Sequence, residues 1–572
     1  MTEQTQVTNQ PQKSGGGSNR MLIIGGLVGL AVVAILVIGA IFLLPRLFGS
    51  DENAIASVMP PETSILVELN ALNLASEDAS RVARAFEDAF DAADVEFDGD
   101  DPASALEELD DQLDEEIGMT ITDDILPWIG PNLGIGLVEL DAEALDGNEV
   151  PKIVFAATIR DTELADNFIE DLIDAIEDES DNRVDEVEHG GALVFEIDSD
   201  FEDEQFAFGR SQEIFFIASN IDTLEEAIDA QNGDNLADVA EYQDTIADLP
   251  GDRAVTFYMS GESIQDLAKA AEDSNEFEGF DSDIIEDLGF IGLGMAATVV
   301  PEGIRFDFVG NYESLTEEQQ EMLDAQTDDI QTPEFLPEST FVFLVGQRLD
   351  LAWQTGLDSL EASGVSEDDF DEAMDAFDDM FGFNPSDDLI PLLNGEYSLA
   401  VVDSDEGLIA EEFETDLGVV IMMGASDNEA MVELAEDFTD GLEDQDLNVD
   451  DSGDDELTIY EVEDPNGEMI GAYGVSEDYL VAATSGETLE NLFAGEANLA
   501  DSDKFQNVWD AFPRGTVPVM YMDIDGLLAA LEDADSSVED VMDVNPVYAF
   551  AMGTNYDDTT TQSTMIFFIA GE

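Results

Sequence analysis

Two stretches of this chain are versions of one another, and that relation limits its architecture more than any other feature. Residues 386–403 read SDDLIPLLNGEYSLAVVD and residues 122–140 read TDDILPWIGPNLGIGLVEL. Asp123, Asp124, Pro127 and Gly118 stand 264 positions before Asp387, Asp388, Pro391 and Gly382. Other pairs keep nearly the same offset. Phe195-Glu196-Ile197 answers Tyr460-Glu461-Val462, Phe208-Gly209 answers Tyr473-Gly474 and Thr223-Leu224-Glu225 answers Thr488-Leu489-Glu490, all at 265. Tyr258-Met259 answers Tyr521-Met522 at 263. One unit built twice in tandem is expected, over residues 58–312 and 335–572, with an acidic and partly helical linker at 313–334.

The local signals in each unit are those of an α+β fold. Met59-Pro60-Pro61 leads into alternating Ile65, Val67 and Leu69, and Leu336-Pro337 leads into residues 341–345 in the same way. These are strands entered from proline turns. Amphipathic helices lie between strands: Leu164, Phe168, Leu172 and Ile176 share a face, as do Met431, Leu434, Ala435, Phe438 and Leu442. Asp161 and Asp427 sit at the N-cap positions of these two helices. The expected unit is an antiparallel sheet with helices over its inner face.

Ahead of the duplicated region, residues 1–20 are polar and Gly-rich and read as a disordered tail. Residues 21–44 carry no charge and are long enough to cross a bilayer as one helix. A signal peptide would have a shorter apolar core, so the span reads as an uncleaved anchor, followed by a stalk at 45–57. Lys13 and Arg20 precede the span, and the bulk of the acidic chain follows it. This bias places the tail in the cytoplasm and the large domain outside.

Charge then narrows the partners. Asp and Glu number 138 against 15 Lys and Arg, a formal net charge of −123. Such a surface repels nucleic acid and anionic lipid heads and recruits solvent cations. Screening at about 1 M salt acts over only about 3 Å, against about 10 Å at 0.1 M, so concentrated salt relieves the self-repulsion. The surface reads first as a salt adaptation, with a calcium-binding surface and an acidic habitat as the alternatives. With no cysteine, disulfides and thiolate chemistry are excluded.

Dedicated sites are few. The first unit has 13 more residues than the second between its opening proline and its Asp pair. That extra material contains Asp94, Glu96, Asp98 and Asp100, with Gly99 at the sixth position of a calcium-loop pattern. Position twelve is Ala105 where a bidentate glutamate belongs. Asp94, Glu96, Asp98 and Asp100 are therefore the metal candidates, with calcium as the one cofactor to consider. Asp444, Asp446, Asn448 and Asp450 repeat the spacing, but Val449 stands where glycine is needed. The single histidine, His189, precedes Gly190-Gly191 and reads as a turn residue. Gly292-x-Gly294-x-x-Ala297 fits a dinucleotide fingerprint only in spelling, because strand residues follow it where a helix should open. The repeated pairs Asp123-Asp124 and Asp387-Asp388 precede proline turns and read as turn chemistry.

The N-terminal span, the strand openings at Met59 and Leu336, and the Asp-Asp-Leu-x-Pro-x-x-x-Gly-Glu stretch from Asp387 to Glu396 resemble the bacterial membrane-anchored family grouped as domain of unknown function 3352. The first copy departs from that motif, with Gly130-Pro131-Asn132 where the second has Asn394-Gly395-Glu396. The resemblance implies a duplicated extracytoplasmic domain and supplies no catalytic residues. The expected function is a membrane-anchored binding or interaction module for an extracellular protein or glycan, not an enzyme. The competing classes are a hydrolase working through carboxylates alone, glycosidase-like, and a calcium-dependent envelope or adhesion protein. Thermal unfolding of residues 58–572 is expected to shift upward only at molar salt, equally for sodium and calcium at matched ionic strength. A rise confined to calcium at millimolar concentration or below would make the acidic insert a metal site instead.

Overall fold

The computed structural model describes residues 54–570 apart from internal stretches, the longer of which are 86–109, 141–150, 199–205, 274–284, 358–366 and 532–544. The apolar run 21–44 and the four candidate calcium ligands Asp94, Glu96, Asp98 and Asp100 lie outside the described residues. No described helix is long and apolar enough to cross a membrane.

The chain is a mixed α+β fold around one antiparallel sheet of twenty strands. The first ten are β1 (Ile65–Asn70), β2 (Ile129–Glu139), β3 (Lys152–Ile159), β4 (Arg183–His189), β5 (Ala192–Asp198), β6 (Phe206–Ser211), β7 (Ile214–Ala218), β8 (Val255–Ser260), β9 (Phe290–Val300) and β10 (Gly303–Tyr312). The second ten are β11 (Thr340–Gln347), β12 (Glu396–Asp403), β13 (Leu417–Gly424), β14 (Asn448–Gly453), β15 (Leu457–Glu463), β16 (Met469–Ser476), β17 (Tyr479–Ala483), β18 (Val517–Asp523), β19 (Val547–Asp557) and β20 (Thr560–Ile569).

From one edge to the centre the strands run β4-β5-β6-β7-β3-β2-β1-β8-β9-β10. From the other edge they run β14-β15-β16-β17-β13-β12-β11-β18-β19-β20. Raising each number in the first run by ten reproduces the second. The two runs meet where β10 pairs with β20, from Gly303 opposite Phe568 to Asn311 opposite Thr560. A separate sheet for each unit was expected from the sequence, and the strands instead form a single continuous one.

Helices also cover both faces of each wing, where the inner face alone was expected. Consecutive residues of β7 show this alternation. Phe216 joins Leu224, Ala227 and Ile228 of the helix Ile221–Ala230 in one core. Phe215, pointing the other way, packs with Trp128 at 5.3 Å and with Phe168 of the helix Thr162–Glu179 at 6.0 Å. In the second wing Ala472 of β16 shares a core with Leu489 of the helix Gly486–Phe493. Tyr473 and Val475 share the opposite core with Met431 and Ala435 of the helix Asn428–Asp444. A strand apolar on both sides, such as Ile214-Phe215-Phe216-Ile217-Ala218, requires cover on both sides. The outermost strands stay soluble through charge. Glu186 and Glu188 on β4 and Asp450 and Asp451 on β14 are exposed, which opposes edge-to-edge pairing.

The central junction combines apolar contacts with a buried polar cluster. Phe306 and Phe567 meet edge to face at 6.0 Å, and Phe567 also packs on Phe550 at 5.0 Å. Within the sheet, Asp307 is 7% exposed; it accepts from Arg305 Nε at 2.8 Å and from Thr564 Oγ1 at 2.9 Å. Asn311 accepts from Thr560 Oγ1 at 2.8 Å. At the far end Arg81 donates to the carbonyls of Val300, Pro301 and Ile569, so its guanidinium touches both sides of the junction. Asp307→Ala removes the acceptor shared by a buried hydroxyl and a largely buried guanidinium. It is expected to lower stability by about 2–3 kcal/mol, read as a shift in the denaturant midpoint at constant m-value.

Candidate functional site

The repeated Asp pairs lie within short π-helical turns, Ile121–Ile125 and Pro385–Leu389. Thr120 Oγ1 accepts from Asp123 N at 3.2 Å, and Asp124 Oδ2 reaches back to Thr120 N at 2.7 Å. In the second half Asn384 Oδ1 accepts from Ser386 N at 2.9 Å, and Asp388 Oδ2 accepts from Asn384 N at 2.8 Å. Both turns are thus closed by reciprocal caps, and the second Asp of each pair is engaged by backbone. The paired glycines just upstream have an equally local role. Gly118 (φ 69°) and Gly382 (φ 84°) adopt the left-handed conformation and donate to the carbonyls of Asp114 and Asp378, as residues ending helices do.

The other residues singled out in the sequence are dispersed. His189 ends β4 ahead of the Gly190-Gly191 turn, and its ring nitrogens lie 3.4 Å from Glu225 and 2.9 Å from Asp229 on a neighbouring helix. Asp444 closes a helix, Asp446 sits in a left-handed turn at φ 64°, and Asn448 and Asp450 run into β14, so these four do not encircle a point. Gly292 and Gly294 lie inside β9, where a Cβ would come within 2.6 Å and 2.9 Å of Thr245. Their role is close approach of the helix Ala240–Ala247 to the sheet. Among the described residues no group of three or more His, Asp or Glu side chains is placed to hold a metal.

A cleft of about 420 Å³ opens where β11, β12, β13 and β17 come together. Adjacency in the sheet builds it: Gln347 pairs with Glu396, Tyr397 with Met423, and Gly424 with Tyr479. Gln331, Gln347, Asn394, Glu396, Asp478 and Tyr479 supply its polar lining, and Gly395, Gly424 and Ala425 complete it. Glu396 is committed to structure. Its carboxylate accepts from Gln331 N at 2.7 Å, from Thr332 N at 2.9 Å and from the Thr332 hydroxyl, which fixes the turn Thr332–Glu334 that precedes β11.

Gln347 and Tyr479 differ from it. They are 8% and 7% exposed, and both line the cleft without belonging to the buried polar groups that lack a partner. Burial, with the negative charges of Glu396, Asp478 and Glu334, holds the Tyr479 phenol above its usual pKa, so it stays a neutral donor. The Tyr479 ring is buttressed by Phe335 at a centroid distance of 5.3 Å.

The matching place in the first half is filled. Thr158 occupies in β3 the position that Gly424 occupies in β13, and its Oγ1 bridges Asn132, accepting from N at 3.0 Å and donating to O at 3.1 Å. Ile159 and Ile214 stand where Ala425 and Tyr479 stand in the second half. A Cβ on Gly424 would fall 2.9 Å from the Glu396 carbonyl oxygen, so glycine is required for this backbone approach. Sequence reasoning did not single out Gln347 or Tyr479. Its one signal was the mismatch of Gly130-Pro131-Asn132 with Asn394-Gly395-Glu396, which falls at the cleft.

A family model described as "Protein of unknown function (DUF3352)" matches residues 24–568. The chain belongs to the DUF3352 family. No curated protein matches this DUF3352 chain. Among solved structures it is similar to crystal forms I, IV and III of TP0453, at 7%, 6% and 5% identity and TM-scores of 0.22, 0.23 and 0.23. The matches cover 47%, 45% and 47% of this chain and 81%, 79% and 83% of TP0453. Likeness at that level carries no weight for fold or function.

If the repeated Asp residues are caps, Asp124→Ala and Asp388→Ala should each lower stability by about 1 kcal/mol. Chemical denaturation in molar salt measures this, and an unchanged midpoint would show that the Asp does not act as a cap.

Proposed function

We propose that this DUF3352 protein is a membrane-anchored, extracytoplasmic binding module. In this reading residues 21–44 form the anchor, residues 1–20 remain in the cytoplasm, and two tandem α+β repeats, 58–312 and 335–572, stand outside on a stalk. The identical strand order of the two runs supports the duplication. The acidic surface is an adaptation to concentrated salt.

The observation that carries binding over hydrolysis is the state of the groups in the cleft. Its buried carboxylate, Glu396, is held by three hydrogen bonds from Gln331 and Thr332. Gln347 and Tyr479 are left to receive a ligand. Carboxylate hydrolysis needs two acids poised across a bond, and a cleft that spends its inner acid on its own scaffold is equipped for recognition.

The absence of cysteine makes the topology testable with single introduced thiols. In intact cells Asn232→Cys should react with a membrane-impermeant maleimide, and Ser14→Cys should react only after permeabilisation. The reverse pattern would refute the orientation, and equal labelling of both in intact cells would refute the anchor.

A further inference from the structure

Building on the binding-module reading, we propose that the cleft at the ends of β11, β12, β13 and β17 is a binding site for a neutral sugar unit. Its contacts are the carboxamides of Gln347 and Asn394, the phenol of Tyr479 and the carboxylate of Asp478.

The cleft itself selects against charged ligands. Among the described residues no Lys or Arg lines it, so an anion would meet Asp478 and Glu396 without a counter-charge. A cationic ligand would compete with the solvent cations that a surface of net charge −123 gathers, and molar salt would screen its attraction. Hydrogen bonds between neutral groups suffer neither penalty. Carboxamides offer donor and acceptor together, the phenol offers a donor, and the free carboxylate accepts two hydroxyls. That set matches the adjacent hydroxyls of a sugar ring. The volume, about 420 Å³, lies within the range of about 300–1,000 Å³ usual for small-molecule sites.

Two observations indicate a built site instead of a packing defect. The side chains of Gln347 and Tyr479 are more than nine-tenths buried, yet both line one cleft and neither is among the buried polar groups cut off from a partner, so their polar ends open onto the cleft. The corresponding place in the first half is closed by Thr158 and by two isoleucines, Ile159 and Ile214. The same framework can therefore be sealed, and in the second half it is open and polar.

The test is saturation-transfer difference NMR on the full chain in nanodiscs. One panel contains neutral disaccharides (maltose, cellobiose, trehalose and diacetylchitobiose), and the other contains spermidine and arginine methyl ester, each in low and in molar sodium chloride. At least one sugar should bind, with little change between the two salt conditions. Tyr479→Phe should weaken it about tenfold, the loss of one hydrogen bond, with little change in the melting temperature, because the phenol opens onto the cleft. Ala425→Ile should abolish binding by copying the first half; it adds bulk without the backbone clash that any side chain at Gly424 would create. Sugar binding that survives both variants would overturn the site and leave the binding-module reading intact. Binding of the amines alone, lost in molar salt, would overturn the ligand class. Failure of every probe with the folded full chain would overturn the site and count against the module reading as well.

Discussion

The pairing of β10 with β20 is the contact on which the rest of the sheet depends. Each strand belongs to a different half, each carries phenylalanines, and either one alone would be a long apolar edge with unpaired backbone groups. Such edges invite association with other chains. The ladder from Gly303 to Asn311 covers both at once and moves the sheet's true edges out to β4 and β14, where acidic side chains make further pairing unfavourable. Asp307 and Asn311 give the junction specificity. A slip by one residue would turn Asp307, together with Arg305 of the same strand, to the opposite face and separate it from Thr564.

The two halves also show how one framework carries different interiors. Each opens with a short 3₁₀ turn that a buried glutamate holds, but the glutamate comes from a different strand. In the first half Glu68 of β1 accepts from Ile55 N at 3.4 Å. In the second, Glu396 of β12 accepts from Thr332 N at 2.9 Å. Moving the acid from one strand to its neighbour puts Asn132 where Glu396 would be and leaves Thr158 free to bridge Asn132 across the space. The second half, with Gly424 in that position, leaves the space open. Divergence at a few contacting residues therefore separates a packed interior from a cleft, while strand order is unchanged.

Much of this was legible in the sequence because it depends on local chemistry. Gly118 and Gly382 are where a helix must end in a left-handed residue, and Gly209 and Gly474 lie where a side chain would strike the backbone of the next strand. The Asp pairs are caps, as their place before proline turns indicated. The single sheet was not legible, because it is made by residues such as Asp307 and Thr564, 257 positions apart, whose alternation specifies a strand without naming its partner. Cover on both faces was missed for a related reason: short apolar strands such as β7 carry no periodic signal of which face is buried. The cleft was hidden more deeply. It is assembled from one or two residues at each of several strand ends, and only a comparison of the two halves in register brings them together.

The position of β20 has a consequence for the order in which the chain can be completed. β20 lies beside β10 in the middle of the sheet, so β10 must wait for about 250 further residues to emerge before its open side is covered. Until then the first half is a finished layer with one adhesive flank, at the stage when partly folded chains are most prone to aggregate. Dense negative charge on that half keeps such intermediates apart, and Arg81, which contacts the β9–β10 turn and the carbonyl of Ile569 alike, is placed to engage the C-terminal strand as it docks. Removal of β20, from Thr560 on, would thus disturb the centre of the molecule before its periphery.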